Sequence, residues 1–210
     1  MERKTVYFEN IGPQNTEITF KSVKERLNES GIEKIVIAST TGATARMAND
    51  YFKDTGKKLI VIPHQYDFHR DVNPFPRGLV KELRDAGHDV HFGTMLFHTD
   101  QLYDSSIPTL IANILRCFCQ GVKVCFEIVM MAADAGLVSK GEKVIAIAGT
   151  GRGAFRRGPV GCAGQALAQR VFPVSAGGRI SAESTASLPR RASPRARLAA
   201  LARASAALLR

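Results

Sequence analysis

Three short aliphatic runs constrain this chain more than anything else in it: Lys34-Ile35-Val36-Ile37-Ala38, Leu59-Ile60-Val61-Ile62 and Lys143-Val144-Ile145-Ala146-Ile147-Ala148. Once past the leading lysine, none alternates apolar with polar residues. A strand that is apolar at successive positions needs cover on both faces, which is the pattern of a parallel sheet held between helical layers. The segments between the runs supply that cover. Helical patterns are expected from Asn15 or Thr16, as candidate N-caps, to about Ser30; from Ala43 to about Asp54; from Arg77 to Ala86; from Thr109 to Phe118; and from Gly121 to Leu137. In the first, Ile18, Val23 and Leu27 fall near one face, and Gly31 supplies the stop. In the last, Val122, Cys125, Phe126, Val129, Met130 and Ala133 form a wide apolar stripe. Asp89-Val90-His91-Phe92 reads as a weaker strand, and residues 64–76 and 93–108 as irregular loops. Strands separated by helices imply right-handed crossovers. The expected fold class is α/β, a three-layer α/β/α sandwich with a mainly parallel sheet.

Charge divides the chain in two. The formal net charge is +10, which by itself suggests an anionic partner. Residues 152–210, however, carry 11 Arg, no Lys, no Asp and one Glu, so the whole excess lies there and residues 1–151 are electroneutral. The body is therefore not a basic nucleic-acid-binding domain, and nucleic acid is not the expected partner. Segment 152–210 also holds 15 Ala and loses the strand pattern. It reads as a tail that contacts polyanions, as an appendage without a role, or as a shifted reading frame in GC-rich DNA. The last fits best, because the switch from Lys to Arg coincides with the loss of hydrophobic patterning. The expected organisation is a ligand-binding domain over residues 1–154 and an aberrant or loosely ordered tail over 155–210. If the last native strand is lost there, an unpaired sheet edge favours pairing with another copy, a homo-oligomer.

No apolar run reaches the roughly 20 residues of a membrane span. The opening Met1-Glu2-Arg3-Lys4 lacks the apolar stretch of a secretory signal, and four Cys in 210 residues do not make a disulfide framework. A cytoplasmic protein is expected.

Two loops have ligand chemistry. After the first strand come Ser39, Thr40, Thr41, Gly42, Ala43 and Thr44, followed by a helix. A helix N-terminus offers unpaired N–H groups and the positive end of the macrodipole, and the hydroxyls add donors. Gly42 would let a phosphate approach the backbone. This is a phosphate cradle without a lysine, and it lacks the spacing of a Walker A loop. The same residues also suit plain N-capping, and their pattern does not choose between the two. The second loop, Gly149-Thr150-Gly151-Arg152-Gly153, also follows a strand. In a parallel sheet both loops lie at the carboxyl edge, where open α/β folds take ligands. His64 follows the second strand at that same edge.

Ile35 to Ala45 resembles the effector-phosphate loop of the pyruvate kinase C-terminal domain. The wider pattern is similar to free-standing prokaryotic proteins built on that alpha/beta domain. Tyr7-Phe8-Glu9-Asn10, Asn15-Thr16-Glu17, Val61 to Phe68, Gln120 to Val124, Met131 to Leu137 and Val144 to Ala154 carry the likeness, in order, over about residues 5–154. Such proteins continue with Asp-Thr-Ala and a last strand, whereas here Phe155-Arg156-Arg157 follows. The resemblance implies a pyruvate kinase C-terminal-domain-like fold. It also implies no pyruvate kinase catalysis, since the catalytic barrel is a separate domain with no room in this chain. The implied role is regulatory or sensory binding of a phosphorylated small molecule, flavin mononucleotide (FMN) or a sugar phosphate. The phosphate is expected on residues 39–44, with a ring system reaching residues 64–68 and 149–151. The alternative is a flavin-dependent or phosphate-ester enzyme with His64 as acid or base.

The remaining chemistry is sparse. Cys117, Cys119 and Cys125 read as small buried hydrophobes rather than zinc ligands. The five histidines, His64, His69, His88, His91 and His98, could make a metal site only if loops converge. Lys123 and Glu127, four apart on a helix, are expected to form a surface ion pair; if they face the crevice instead, they could orient a ligand.

Overall fold

The computed structural model describes residues 6, 8, 12–66, 68, 72–99 and 105–149, apart from the side chains of 29 and 30. All of these fall in the first of two compact units, residues 1–176; the second is 177–210. The expectations for Thr150, Gly151 and the Arg/Ala-rich tail lie outside the described residues.

The first helix, α1 (Asn15–Ser30), ends as expected on Gly31, which adopts the left-handed conformation at φ 62°. Its start is different. Gln14 occupies the cap position, and the N–H groups of Asn15 and Thr16 donate to the carbonyls of Gly12 (3.2 Å) and Pro13 (3.0 Å). Backbone turn bonds thus do the capping that was expected of the Asn15 or Thr16 side chain. Phe20, Val23 and Leu27 form the buried face, while Ile18 is 47% exposed. Ile18 precedes Val23 by five residues, about 140° around the helix, whereas Phe20 lies on the same side as Val23.

Strand β1 (Lys34–Ala38) leads into α2 (Ala43–Phe52), a 3-10 turn and β2 (Lys58–Ile62). A long loop leads to α3 (Arg77–Asp85), and β3 is only Asp89–Val90. The irregular stretch after it contains a 3-10 turn, Leu96–His98. Helix α4 (Ile107–Arg116) starts two residues before the expected Thr109, with Pro108 in its first turn, where a missing N–H costs nothing. Helix α5 (Gln120–Asp134) begins on Cys119, whose Sγ accepts the N–H of Val122, and β4 is Val144–Ile147.

Among the described residues the sheet has four strands in the order β3-β2-β1-β4, and every pairing is parallel. Register is set by residue pairs such as Val36 with Ile60 and with Ala146. Each run divides its side chains between two cores. Ile35, Ile37, Leu59, Val61, Ile145 and Ile147 pack with α1, α2 and α3. Val36, Ile60, Ile62, Val144, Ala146 and Ala148 pack with Cys125, Ile128, Val129 and Ala132 of α5. Each large side chain so buried contributes about 1.5–3 kcal/mol, more than any single cap, so this two-sided burial is what holds the elements in place. The described fold is the expected three-layer sandwich.

The strand order fixes where function can sit. From β1 the chain adds β2 and then β3 outward on one side, and then crosses back to place β4 on the other side of β1. Such a reversal opens a crevice beyond the carboxyl ends of the central strands. The segments that leave that edge are 39–42, 63–76, 91–99 and the residues after β4.

Candidate functional site

The loop after β1 is built around two inward-facing residues. Ser39 is buried, and its Oγ accepts the N–H of Ala45 at 3.2 Å, satisfying one of the unpaired donors of α2. Gly42 caps the helix at φ 86°. A Cβ on it would lie 2.5 Å from Leu79 Cδ2 and 3.1 Å from Pro76 Cδ. Gly42 is thus needed for backbone hand and for the close approach of α2 to the start of α3. That packing accounts for it without the ligand access expected from the sequence.

The outward side of the same loop is polar. Thr40 and Thr44 are half-buried, and Thr41 and Ala43 are exposed. Gly42 O accepts the N–H of Arg46 at 2.9 Å, but the N–H groups of Ala43 and Thr44 have no hydrogen-bond partner among the described residues. Two free amides at a helix start, with three threonine hydroxyls beside them, are suited to an anion.

His64, the first residue after Pro63, is brought to this loop. Its Nε2 lies 3.3 Å from Thr40 Oγ1. Asn73 anchors the backbone here by donating from Nδ2 to His64 O at 2.9 Å, while Asn73 Oδ1 accepts the N–H of Phe75 at 3.0 Å. Gln65 ties this loop to the next, its Oε1 accepting the N–H of Met95 at 2.7 Å. Gly149 follows β4 at the same edge and is half-buried. Thr40, His64 and Gly149 therefore share one edge, as the sequence implied. An open depression lined by Tyr66 and residues 72–77 lies beside this loop.

The largest departure from the sequence reading is on α5. Lys123 and Glu127 form an ion pair, but it is not on the surface: the side chains are 1% and 3% exposed. Glu127 Oε1 also accepts the N–H of Phe97 (3.0 Å) and meets His98 Nδ1 (3.3 Å), and the Lys123 ammonium lies 5.3 Å from the centre of the Phe97 ring. The apolar stripe assigned to this helix is rotated accordingly: Met130 is 41% exposed, while Lys123, Glu127 and Met131 face inward. Burial opposes ionisation of Glu127, but the hydrogen bonds from His98 and Lys123, the Lys123 charge and the Phe97 N–H outweigh it and hold the carboxyl below its ordinary range. Burial lowers the Lys123 ammonium from its ordinary value, and Glu127 offsets only part of that.

This cluster is linked to the β1 loop through aromatic rings. Phe68 stands edge-on to His64 at 5.2 Å and to His98 at 4.9 Å, so a single ring separates the two imidazoles. Spacing arguments missed His98 because it joins α5 only across some thirty residues of chain. A signal was available in the helix itself. From Gly121 to Ala133 it is apolar on all sides except for two opposite charges four apart, and a helix apolar all round is buried. Among the described residues no group of three His, Cys, Asp or Glu could hold a metal ion, and no helix is long and apolar enough to cross a membrane. Cys117, expected to be buried, is exposed.

A family model described as "Pyruvate kinase, alpha/beta domain" matches residues 17–157. Similar solved structures include a pyruvate kinase of Cryptosporidium parvum (18% identity, 64% of this chain and 20% of that chain covered, TM-score 0.35). Another is the pyruvate kinase of that organism in complex with ADP (16% identity, 71% and 22% covered, TM-score 0.35), and a third is 17% identical with a TM-score of 0.32. The chain spans about a fifth of the length of these pyruvate kinases.

Proposed function

Because this chain belongs to the pyruvate kinase alpha/beta domain family, we propose that it binds a phosphorylated small molecule at the carboxyl edge of its sheet, in a regulatory or sensory role and without phosphoryl transfer of its own. The observation that carries the reading is the position of the Thr40–Thr44 loop. It sits where the strand order reverses, with the amides of Ala43 and Thr44 unpaired among the described residues. The phosphate would take those amides and the hydroxyls of Thr40, Thr41 and Thr44. No Lys or Arg lies in 39–44, so binding relies on dipoles rather than on a fixed cation.

FMN and a sugar phosphate are the proposed ligands. Phe68, between the two imidazoles, suits the flat ring of a flavin, while the hydroxyls and amides suit the phosphate of either. A free-standing domain of prokaryotic type in the cytoplasm goes with this reading, and the free state of Cys117, Cys119 and Cys125, the cysteines among the described residues, is in keeping with a reducing compartment. So does a homo-oligomer, because α4 exposes Ile107, Leu110 and Ile114 on its outward side.

Calorimetric titration of the full chain with FMN and with a sugar bisphosphate, together with its visible spectrum, tests the reading. Saturable binding of one of them, weakened in Thr40→Val, supports it; no heat and no flavin spectrum with either overturns it. The Thr40–His64 contact favours a second reading, in which His64 is the acid or base of a flavin-dependent or phosphate-ester enzyme. There, His64→Ala abolishes turnover and leaves affinity in place.

A further inference from the structure

The buried charges of α5 have no part in holding the phosphate. A buried ion pair gains little stability over an apolar pair of the same size, so its presence next to a ligand crevice calls for another reason. Glu127 receives N–H groups from Phe97 and His98 and the ammonium of Lys123. An ionised carboxylate only accepts. The nitrogen of His98 that faces Glu127, Nδ1, must therefore carry the proton, and in the neutral ring Nε2 is left as an acceptor. The imidazole of His98 has no other hydrogen-bond partner among the described residues, and the side chain is 30% exposed. It leaves the carboxyl edge after β3, one aromatic ring away from His64.

We infer that His98 is a second recognition point of the same crevice, its Nε2 accepting a hydrogen bond from a hydroxyl or ring N–H of the phosphorylated ligand. Glu127 and Lys123 are its positioning residues. This rests on the phosphate-binding reading above, and it adds a demand on the ligand: besides its phosphate, the ligand carries a donor on the part that reaches past Phe68. Inorganic phosphate satisfies only the first end of the crevice, while a sugar phosphate or FMN satisfies both.

Imidazole nitrogen NMR on the full chain at pH 8 tests the positioning without any variant. The expected signals of His98 are a protonated Nδ1 and a bare Nε2. The reverse tautomer, or a free mixture, overturns the inference. In Lys123→Met/Glu127→Leu, which removes the ion pair together with the oxygen that faces Nδ1, the fixed tautomer should give way to a mixture; an unchanged tautomer overturns the role of Glu127. Calorimetry with FMN, a sugar bisphosphate and inorganic phosphate tests the recognition. His98→Asn, whose amide takes the place of Nδ1 and can still donate to Glu127 but offers nothing in the place of Nε2, should weaken the organic ligand about tenfold and leave inorganic phosphate unchanged, the loss expected for one hydrogen bond. Thr40→Val should weaken both. If the probes bind and His98→Asn affects them equally or not at all, this inference fails and the phosphate reading stands. If no probe binds, both fail.

Discussion

Replacing Glu127 by Gln should destabilise the protein by about 3–5 kcal/mol, the usual consequence of leaving one member of a buried ion pair without its partner. The structure says which member is left. The amide oxygen of the new side chain can still accept the Phe97 N–H, so the loss is concentrated on Lys123, whose side chain is 1% exposed and whose other recorded contact is the face of Phe97. The reverse variant, Lys123→Met, should cost less, about 1–3 kcal/mol, because Glu127 keeps the donors of Phe97 and His98. The double variant should lie close to the wild type, since it removes the charge that Glu127→Gln strands. Urea unfolding followed by circular dichroism at pH 7 gives the three differences and the coupling energy between the sites. The sign of the pH effect is also fixed. The folded-state pKa of Lys123 already lies below the unfolded one and falls further without Glu127. The unfolded state then binds more protons, so the Glu127→Gln protein should gain stability as pH rises from neutral toward the ordinary lysine value of 10.5. A Glu127→Gln cost under about 1 kcal/mol, with additive single variants, would mean the pair is hydrated, as surface pairs are, and would refute the buried arrangement.

Gly42→Ala should destabilise by about 2–4 kcal/mol, combining the left-handed backbone penalty with a clash against Leu79 and Pro76. Gly56→Ala, at φ 65° with nothing within 4 Å of the new Cβ, should cost only about 1 kcal/mol, and equal costs in the same unfolding assay would contradict the packing argument. His88 predicts an acid sensitivity: its Nδ1 accepts the N–H of Leu59 at 3.3 Å, and burial, aided by Lys58 and opposed by Asp89, lowers its pKa from the ordinary 6.5. Stability is then full above pH 6.5 and declines as pH falls toward the folded-state pKa. Urea midpoints at pH 7.5 and 5.0 should differ more in the wild type than in His88→Asn, and parallel midpoints would remove His88 from the account.

The strands were legible because their chemistry is local. Ile35-Val36-Ile37 and Leu59-Ile60-Val61-Ile62 can only be buried on both sides, and that alone implies parallel pairing and helical cover. Glycines marked helix ends for the same reason, as Gly31 does at φ 62°. Helix rotation was less legible. Ile18 counted as core from residue type, but Phe20 has the correct phase with Val23 and Leu27. The site divides along the same line. Thr40, Thr44 and His64 follow strands, so topology alone brings them to one edge. His98 and Phe97 reach Glu127 from an irregular segment without periodicity, and a pair spaced four apart on a helix reads as a surface pair until its surroundings are known.

The central claim is that the amides of Ala43 and Thr44 grip a phosphate. Backbone amide NMR of the full chain during titration with FMN, a sugar bisphosphate or inorganic phosphate tests it most directly. The account predicts that these two signals move first and saturate with the added phosphoester, while those of the opposite sheet edge, such as Lys58 and Asp89, stay still. Signals at 43 and 44 that do not respond to any of the three, or that move no more than the rest of the chain, would contradict it.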